Sequence, residues 1–381
     1  MITIQHDKLR DLVAEIFATA GSSRAEATRI ATYLVGANLA GHDSHGVIRV
    51  PVYLRWLKEG QTVRDQEIKI VSDTPVIAVI DGQFGFGQTV APQAVAIGIE
   101  KCKAMGLSAI ALRNSAHIGR IGDFAEMAAA EGLVSAHFVN AAGSILVAPF
   151  GATERRFSTA PFCVGIPRPG ASPLILDFAT SLVAEGKALV ASRGGKKLPV
   201  DALIGPDGNK SDDPQLLYGK YEPAGPRNHG LGKGAIRAFG EHKGSGLALM
   251  CELIGGALTG NGATKPDRRF SNGMLSIFID PKCIDASDFF PEEIARYLAF
   301  VKSAKPAIAG EEVLVPGEPE ERARKERMAK GVPLPEDAWE AIIGAAREIG
   351  VAEAAIEAAR RAAPSPAHFA REKVPPQSGG G

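Results

Sequence analysis

Apolar positions recur at three- and four-residue spacing through residues 7–19 and again through 22–39, which predicts two helices at the start of the chain. The second opens on Ser22-Ser23 with Glu26 three positions after Ser23, a capping pattern. Val47, Val50, Val52, Leu54 and Leu57 continue the apolar series and predict a third helix over 47–58. Near Ile68 the period shortens. IKIV and PVIAVIDG are β-branched runs closed by Asp73-Thr74 and Asp81-Gly82, the pattern of a hairpin. A helical piece therefore gives way to an α/β body near residue 65.

Helix and strand then alternate: helix over 89–105, strand over 108–112, helix over 121–131, strand over 134–139. Units of this size predict a layered sheet with helices on its faces. The glycine- and proline-rich stretch 140–173 holds a strand at 162–166, ILDF at 175–178 is another, and 181–192 is a helix. Residues 201–234 are polar and turn-rich and are expected to be surface loops. Helix 244–260, strand 274–279, helix 290–304, strand 313–315 and helices over 320–329, 335–349 and 351–362 complete the pattern. Four parts result: a helical N-terminal part over 1–65, an α/β body over 66–317, C-terminal helices over 318–363 that pack back on the first part, and a disordered tail over 364–381. No internal repeat is present.

A hydrophobic content of 45% excludes a disordered chain, and 381 residues can bury a sizeable core. The 43 basic and 43 acidic residues cancel, so no field draws in nucleic acid or an anionic membrane. Small ligands are the expected partners. Cys102, Cys163, Cys251 and Cys283 are far apart and form no CxxC, so neither a metal site nor a disulfide framework is indicated. The N-terminal MITIQHDKLRDLVAEIF has no leader-like apolar segment and no run reaches membrane-spanning length, so a cytoplasmic location is expected.

The densest chemistry lies in GHDSHGVIRVPVYLRWLKEG, residues 41–60. Ser44-His45 falls at a junction between two predicted helices; Arg49 lies at i+4 from His45 and Tyr53 at i+8, so one helical face would carry an imidazole, a guanidinium and a phenol. Such a row can hold an anionic substrate and pass it a proton; the same spacing also fits a plain amphipathic helix with Arg49 and Arg55 in solvent. His117, in NSAHIG (114–119), follows a predicted strand, where α/β enzymes place acid–base groups. A turn-capping role suits it equally. Thr180 and Ser181, after ILDF, read as a helix cap whose N–H groups could take a phosphate, and Lys243 in EHKGSG (241–246) stands at a similar helix entrance. There is no P-loop, no strand-bound G-x-G-x-x-G, no H-E-x-x-H and no G-x-S-x-G. The residues alone point to an α/β enzyme with histidine acid–base groups.

Six segments in order resemble the malate/L-lactate dehydrogenase family of non-Rossmann oxidoreductases: GHDSHGVIRVPVYLRWLKEG, NSAHIGRIGDFAEMAAAEGLVSAHFVN, PFGATERRFSTAPFCVGIP, ILDFATSLVAEGK, DGNKSDDP and EHKGSGLALMCELIGGALTG. The resemblance implies a mixed-sheet, layered non-Rossmann dehydrogenase fold with a helical subdomain built from both termini. It also implies NAD or NADP as cofactor, a homodimer or higher homo-oligomer, and reversible hydride transfer between NAD(P)H and a small 2-oxo or 2-hydroxy acid. Carried over residue by residue, His45 and His117 are the candidate proton donor and acceptor, with Ser44 beside them; Arg49 would grip the substrate carboxylate and Tyr53 orient it. Cofactor contacts fall on Asn140, on Asp177, Phe178, Ala179, Thr180 and Ser181, on Lys243, and on Gly317 and Glu318. No metal is implied. This chain departs from the family at Thr159-Ala160-Pro161, where the family usually has an asparagine, in lacking a tryptophan in LPVDALIGPDG, and in a longer C-terminal extension. These departures bear on which substrate is used. Two alternatives are a reductase of a cyclic imine such as piperideine-2-carboxylate, and a catalytically silent nucleotide-binding subunit; retention of Ser44, His45, Arg49 and His117 argues against the second.

Overall fold

The computed structural model describes residues 1–192, 197–222, 227–285 and 287–360. The tail predicted over 364–381 lies outside them. The strand Ser271–Ile279 (SNGMLSIFI) is buried along most of its length and takes an antiparallel neighbour on each side, Leu107–Ser115 and Val134–Ala142. It is the middle of a seven-stranded sheet that continues outward through Ile77–Asp81 to Lys69–Asp73 on one side and through Phe162–Ile166 to Leu174–Phe178 on the other. The sheet is mixed: Ile77–Asp81 and Leu107–Ser115 run parallel, joined by the helix Gly87–Met105, and the other neighbours are antiparallel. The strands Leu107–Ser115 and Val134–Ala142 outrun their predicted lengths. Ser115 and Asn140 are polar, yet they pair with Asn272 and Gly273, so the ladder carries them where composition alone would stop.

A second core lies under residues 201–237, where loops were expected. Leu203–Ile204, Lys210–Ser211, Ala235–Arg237 and Val147–Ala148 form a four-stranded sheet, and a short helix, Gln215–Tyr218, packs with it around Leu146, Leu203, Leu217 and Ile236. Strands of two or three residues are too short to register as periodicity. Arg155 braces the region by donating to the carbonyls of Leu217, His229, Gly232 and Gly234. The strand expected at 313–315 does not form.

A third core joins the two ends of the chain. Leu9, Phe17, Leu34, Val50 and Tyr53 pack against Trp339, Ile342, Ile343 and Ile356, while Ile2–Ile4 pairs antiparallel with Val332–Leu334. The predicted helix 244–260 is an α-helix, His242–Cys251, that widens into a π-helical segment, Glu252–Leu258. Glu252, 3% exposed, accepts hydrogen bonds from Ser158 Oγ at 2.7 Å, Thr264 N at 2.9 Å and Asn140 Nδ2 at 3.1 Å, which satisfies its buried carboxylate. Among the described residues no helix is long and apolar enough to cross a membrane.

Candidate active site

Ser44 and His45 do not share a helix with Tyr53. Asp43–His45 and Val47–Arg49 are two 3-10 turns that meet at Gly46, and the α-helix Val50–Lys58 follows, so the expected single helical face is replaced by a bent entry. The bend is set by Asn38. Its Oδ1 accepts from Val47 N at 2.8 Å and its Nδ2 donates to Asp43 Oδ1 at 2.7 Å, and Gly46 lies against its amide with no room for a Cβ. Arg327, from the helix Glu318–Lys330, pins Asp43 from the other side at 2.6 and 3.0 Å.

This bend brings the candidate residues together. His117 follows the carboxyl end of Leu107–Ser115, and its Nδ1 lies 2.6 Å from Tyr53 Oη. Gln88 Nε2 donates to Tyr53 Oη at 3.1 Å and to the His117 carbonyl at 3.3 Å, which holds the phenol against the imidazole. The His45 and His117 rings stack at 5.5 Å and 7°, and Ser44 Oγ lies 3.2 Å from His45 Nδ1. Arg49 Nε donates to the Ser44 carbonyl at 2.6 Å. Phe270 closes the site beside His117, stacked on Trp56 at 4.9 Å.

Burial dominates the electrostatics. It pulls the His45 pKa down to about 3, with Arg49, His42 and Arg120 acting in the same direction, and burial with Arg49 and His45 holds His117 well below its ordinary value. Both rings are neutral in the free protein at neutral pH. Burial pushes Tyr53 up to about 12, so the phenol keeps its proton.

The segments matched to the cofactor have mixed fates. Asp177 accepts from Gly122 N at 2.7 Å beside the buried Arg120, and Phe178 meets Phe239 edge-on at 5.3 Å. Ala179 is partly buried. Thr180 and Ser181 are not a helix cap: the helix is Glu185–Ser192, Thr180 Oγ1 donates to the Ala160 carbonyl at 2.9 Å, and Ser181 Oγ donates to the Val183 carbonyl at 2.8 Å. No helix N-terminus therefore stands at 181 to receive a phosphate. Lys243 is exposed in the first turn of His242–Cys251. The Asn140 side chain is fully committed, donating to Glu252 and to the Gly262 carbonyl and accepting from Asn261 Nδ2 and Gly273 N. Gly317 has φ +96° at the rim of a cleft of about 330 Å³ lined by Arg168, Ser172, Pro173, Glu318 and Glu321, and Glu318 accepts from Val315 N at 3.1 Å and pairs with Lys302.

Gln88 and Asn38 are essential to this geometry and carry no signal in the sequence. Gln88 ends GQFGFGQ, which excludes itself as a nucleotide motif by its glycine spacing, and Asn38 sits inside a helical run.

The chain matches the family model described as malate/L-lactate dehydrogenase over residues 4–343. It is 40% identical over 357 residues to hydroxycarboxylate dehydrogenase B of Escherichia coli O157:H7, a match covering 92% of this chain and 95% of the relative. The L-lactate dehydrogenase of Cupriavidus necator is 33% identical, covering 81% of this chain and 87% of its own. The solved structure of sulfolactate dehydrogenase from Methanocaldococcus jannaschii is similar with a TM-score of 0.78 at 30% identity, covering 92% of this chain and 98% of that one.

Proposed function

The chain belongs to the malate/L-lactate dehydrogenase family, and on that premise we propose that it is an oxidoreductase moving a hydride reversibly between NAD or NADP and a small 2-oxo or 2-hydroxy acid. The observation that carries the reading is the meeting of Arg49, Tyr53 and His117 in one site, with Tyr53 buried and the other two half-buried. Arg49 spends only Nε on the Ser44 carbonyl; its two terminal nitrogens can donate to a carboxylate in a bidentate fork. Tyr53 and Gln88 fix the His117 ring, and His117 passes the proton to or from the oxygen on carbon 2. A carboxylate on Arg49 also offsets the positive charge that depresses His117, so the imidazole gains proton affinity as substrate enters. His45 and Ser44 form the adjoining wall and orient the substrate.

The donor set fits a dinucleotide. Gly317 stands where an added Cβ would lie 3.0 Å from the Pro173 carbonyl; Arg168, Ser172 and Glu318 in its cleft offer a cation, a hydroxyl and an acceptor, and Lys243, exposed at the start of another helix, is a further cation. Asp177–Ser181 would hold the end nearer His45, with Asn140 supporting it through the Glu252 network. When bound, the cofactor supplies or takes the hydride.

The test is oxidation of NADH and of NADPH, followed by absorbance, against pyruvate, oxaloacetate, sulfopyruvate and piperideine-2-carboxylate. Turnover of at least one 2-oxo acid is expected. Turnover of the cyclic imine alone would replace the reading, and cofactor binding with no turnover would favour a silent subunit. Relatives at or above 30% identity carry names of hydroxy-acid enzymes, which favours the first outcome.

The same reading includes a homodimer or larger assembly in the cytoplasm. The helix Phe289–Lys302 supports association: none of its residues is buried, and Phe289, Tyr297 and Phe300 are 63%, 56% and 67% exposed. Phe300→Asp combined with Tyr297→Asp is expected to halve the mass seen by light scattering; an unchanged mass would put the interface elsewhere. Four unpaired cysteines, three of them buried, support a reducing compartment.

A further inference from the structure

Ser44 packs on a turn, Glu185-Gly186, that the proposed chemistry does not use. Gly186, in the first turn of Glu185–Ser192, packs so closely on Ser44 that an added Cβ would lie 2.6 Å from the Ser44 Cβ. The preceding residue, Glu185, accepts a hydrogen bond through Oε1 from Tyr218 Oη at 2.7 Å. Tyr218 is 1% exposed, and the loop that follows it is anchored by the carbonyl contacts of Arg155. Oε2 of Glu185 has no hydrogen-bond partner among the described residues. The contacts thus run from Arg49 through Ser44 and Gly186 to Glu185 and Tyr218, so a carboxylate is held one residue from the Ser44 wall while a guanidinium is held on the same serine.

We infer that Glu185 is a specificity-determining residue, fixed by Tyr218, that selects 2-oxo acids whose far end is uncharged or bears a hydrogen-bond donor and rejects those with a second acid group. The inference rests on the 2-oxo acid reading above. Arg49 secures the carboxylate next to the reacting carbon, and a ligand extending from it past Ser44 meets the like charge of Glu185. Burial and the Glu185 carboxylate raise the Tyr218 pKa, so the phenol stays a donor and keeps Glu185 in place; Arg49 is near enough to act on the same phenol in the opposite sense.

The test compares kcat/KM for 2-oxobutyrate with oxaloacetate and for 2-oxopentanoate with 2-oxoglutarate, in wild type, Glu185→Gln and Glu185→Asp. Glu185→Gln keeps the size and the acceptor for Tyr218 but removes the charge. The ratio of diacid to monoacid kcat/KM is expected to rise at least about tenfold in Glu185→Gln and to stay within about threefold of wild type in Glu185→Asp. An unchanged ratio in Glu185→Gln, or equal changes in both variants, would overturn the inference, because shape and not charge would then set selection. Failure of wild type to turn over any of the four acids would instead remove the premise. Should Glu185→Gln fail to fold, Tyr218→Phe, which frees Glu185 from its anchor, is expected to move the ratio upward, and an unmoved ratio there would count equally against the proposal.

Discussion

His117→Ala is expected to lower kcat about a thousandfold, with a much smaller change in KM, because the variant loses the group that exchanges a proton with the 2-oxygen. The geometry separates His117 from His45. Tyr53 Oη lies 2.6 Å from the Nδ1 of His117 and is itself held by Gln88, whereas the Nδ1 of His45 has only the Ser44 hydroxyl at 3.2 Å. Accordingly His45→Ala is expected to lose less in kcat than His117→Ala, and Tyr53→Phe to lose roughly tenfold, the cost of an imidazole no longer held by its phenol. Steady-state kinetics with the best 2-oxo acid checks all three. A His117→Ala enzyme within tenfold of wild type, beside a crippled His45→Ala, would transfer the proton role to His45.

Acid should unfold this protein sooner than its balanced charge suggests. His45 and His137 have pKa values pulled down to about 3 by burial, and His117 is pulled well below the ordinary value. His137 is fully buried between Ser276 Oγ at 2.8 Å and Ser135 Oγ at 3.1 Å. In the unfolded chain these rings take up protons near pH 6.5; in the folded chain they do not. Between those values the unfolded state binds more protons, so stability is complete above about pH 6.5 and falls as pH drops toward 3. For His45 and His137 the slope is about 1.4 kcal/mol per pH unit each, or roughly 2 kcal/mol each at pH 5, and His117 acts in the same direction. Asp123 works the other way: burial raises it to about 6, so it favours the folded state as pH falls through that value and offsets about 1.4 kcal/mol by pH 5. The net loss from His45, His137 and Asp123, about 2 to 3 kcal/mol, is a sizeable part of the stability of an ordinary domain. The urea midpoint is therefore expected to drop steeply between pH 7 and pH 5, and His137→Gln to flatten that slope while lowering the midpoint at pH 7. A midpoint that does not move with pH would sink the argument.

Much of the central sheet is legible in the sequence, because β-branched runs such as IAVID and SIFI announce themselves and the glycines and aspartates around them mark the turns. The gathering of His45, Arg49, Tyr53 and His117 is legible only in outline. Chain spacing brings the first three near one another, but the bend at Gly46 comes from Asn38 and Arg327, and Arg327 is more than two hundred residues away. The small sheet around Leu203 and Ile236 leaves no periodic trace, and the start of the helix at Glu185 instead of residue 181 follows from Thr180 and Ser181 bonding to carbonyls outside any helix. Asn140 reads as a polar residue at the end of a strand; only the packing of the π-helical segment shows that its amide is used up inside the protein.

The pairing of Ile2–Ile4 with Val332–Leu334, and the packing of Leu9 and Phe17 on Trp339 and Ile343, set an order of events during synthesis. The first helices to leave the ribosome cannot finish burying their apolar faces until the last ones emerge. At about 5 to 20 residues per second that interval is roughly 15 to 70 seconds, during which Phe17, Leu34 and Val50 lack their partners. The bend that carries Ser44 and His45 waits as well, since Arg327 has yet to reach Asp43. The middle strand of the sheet, Ser271–Ile279, also emerges late, so sheet and site are completed within about 2 to 10 seconds of each other, and until then the chain depends on whatever shields exposed apolar helices in the cell.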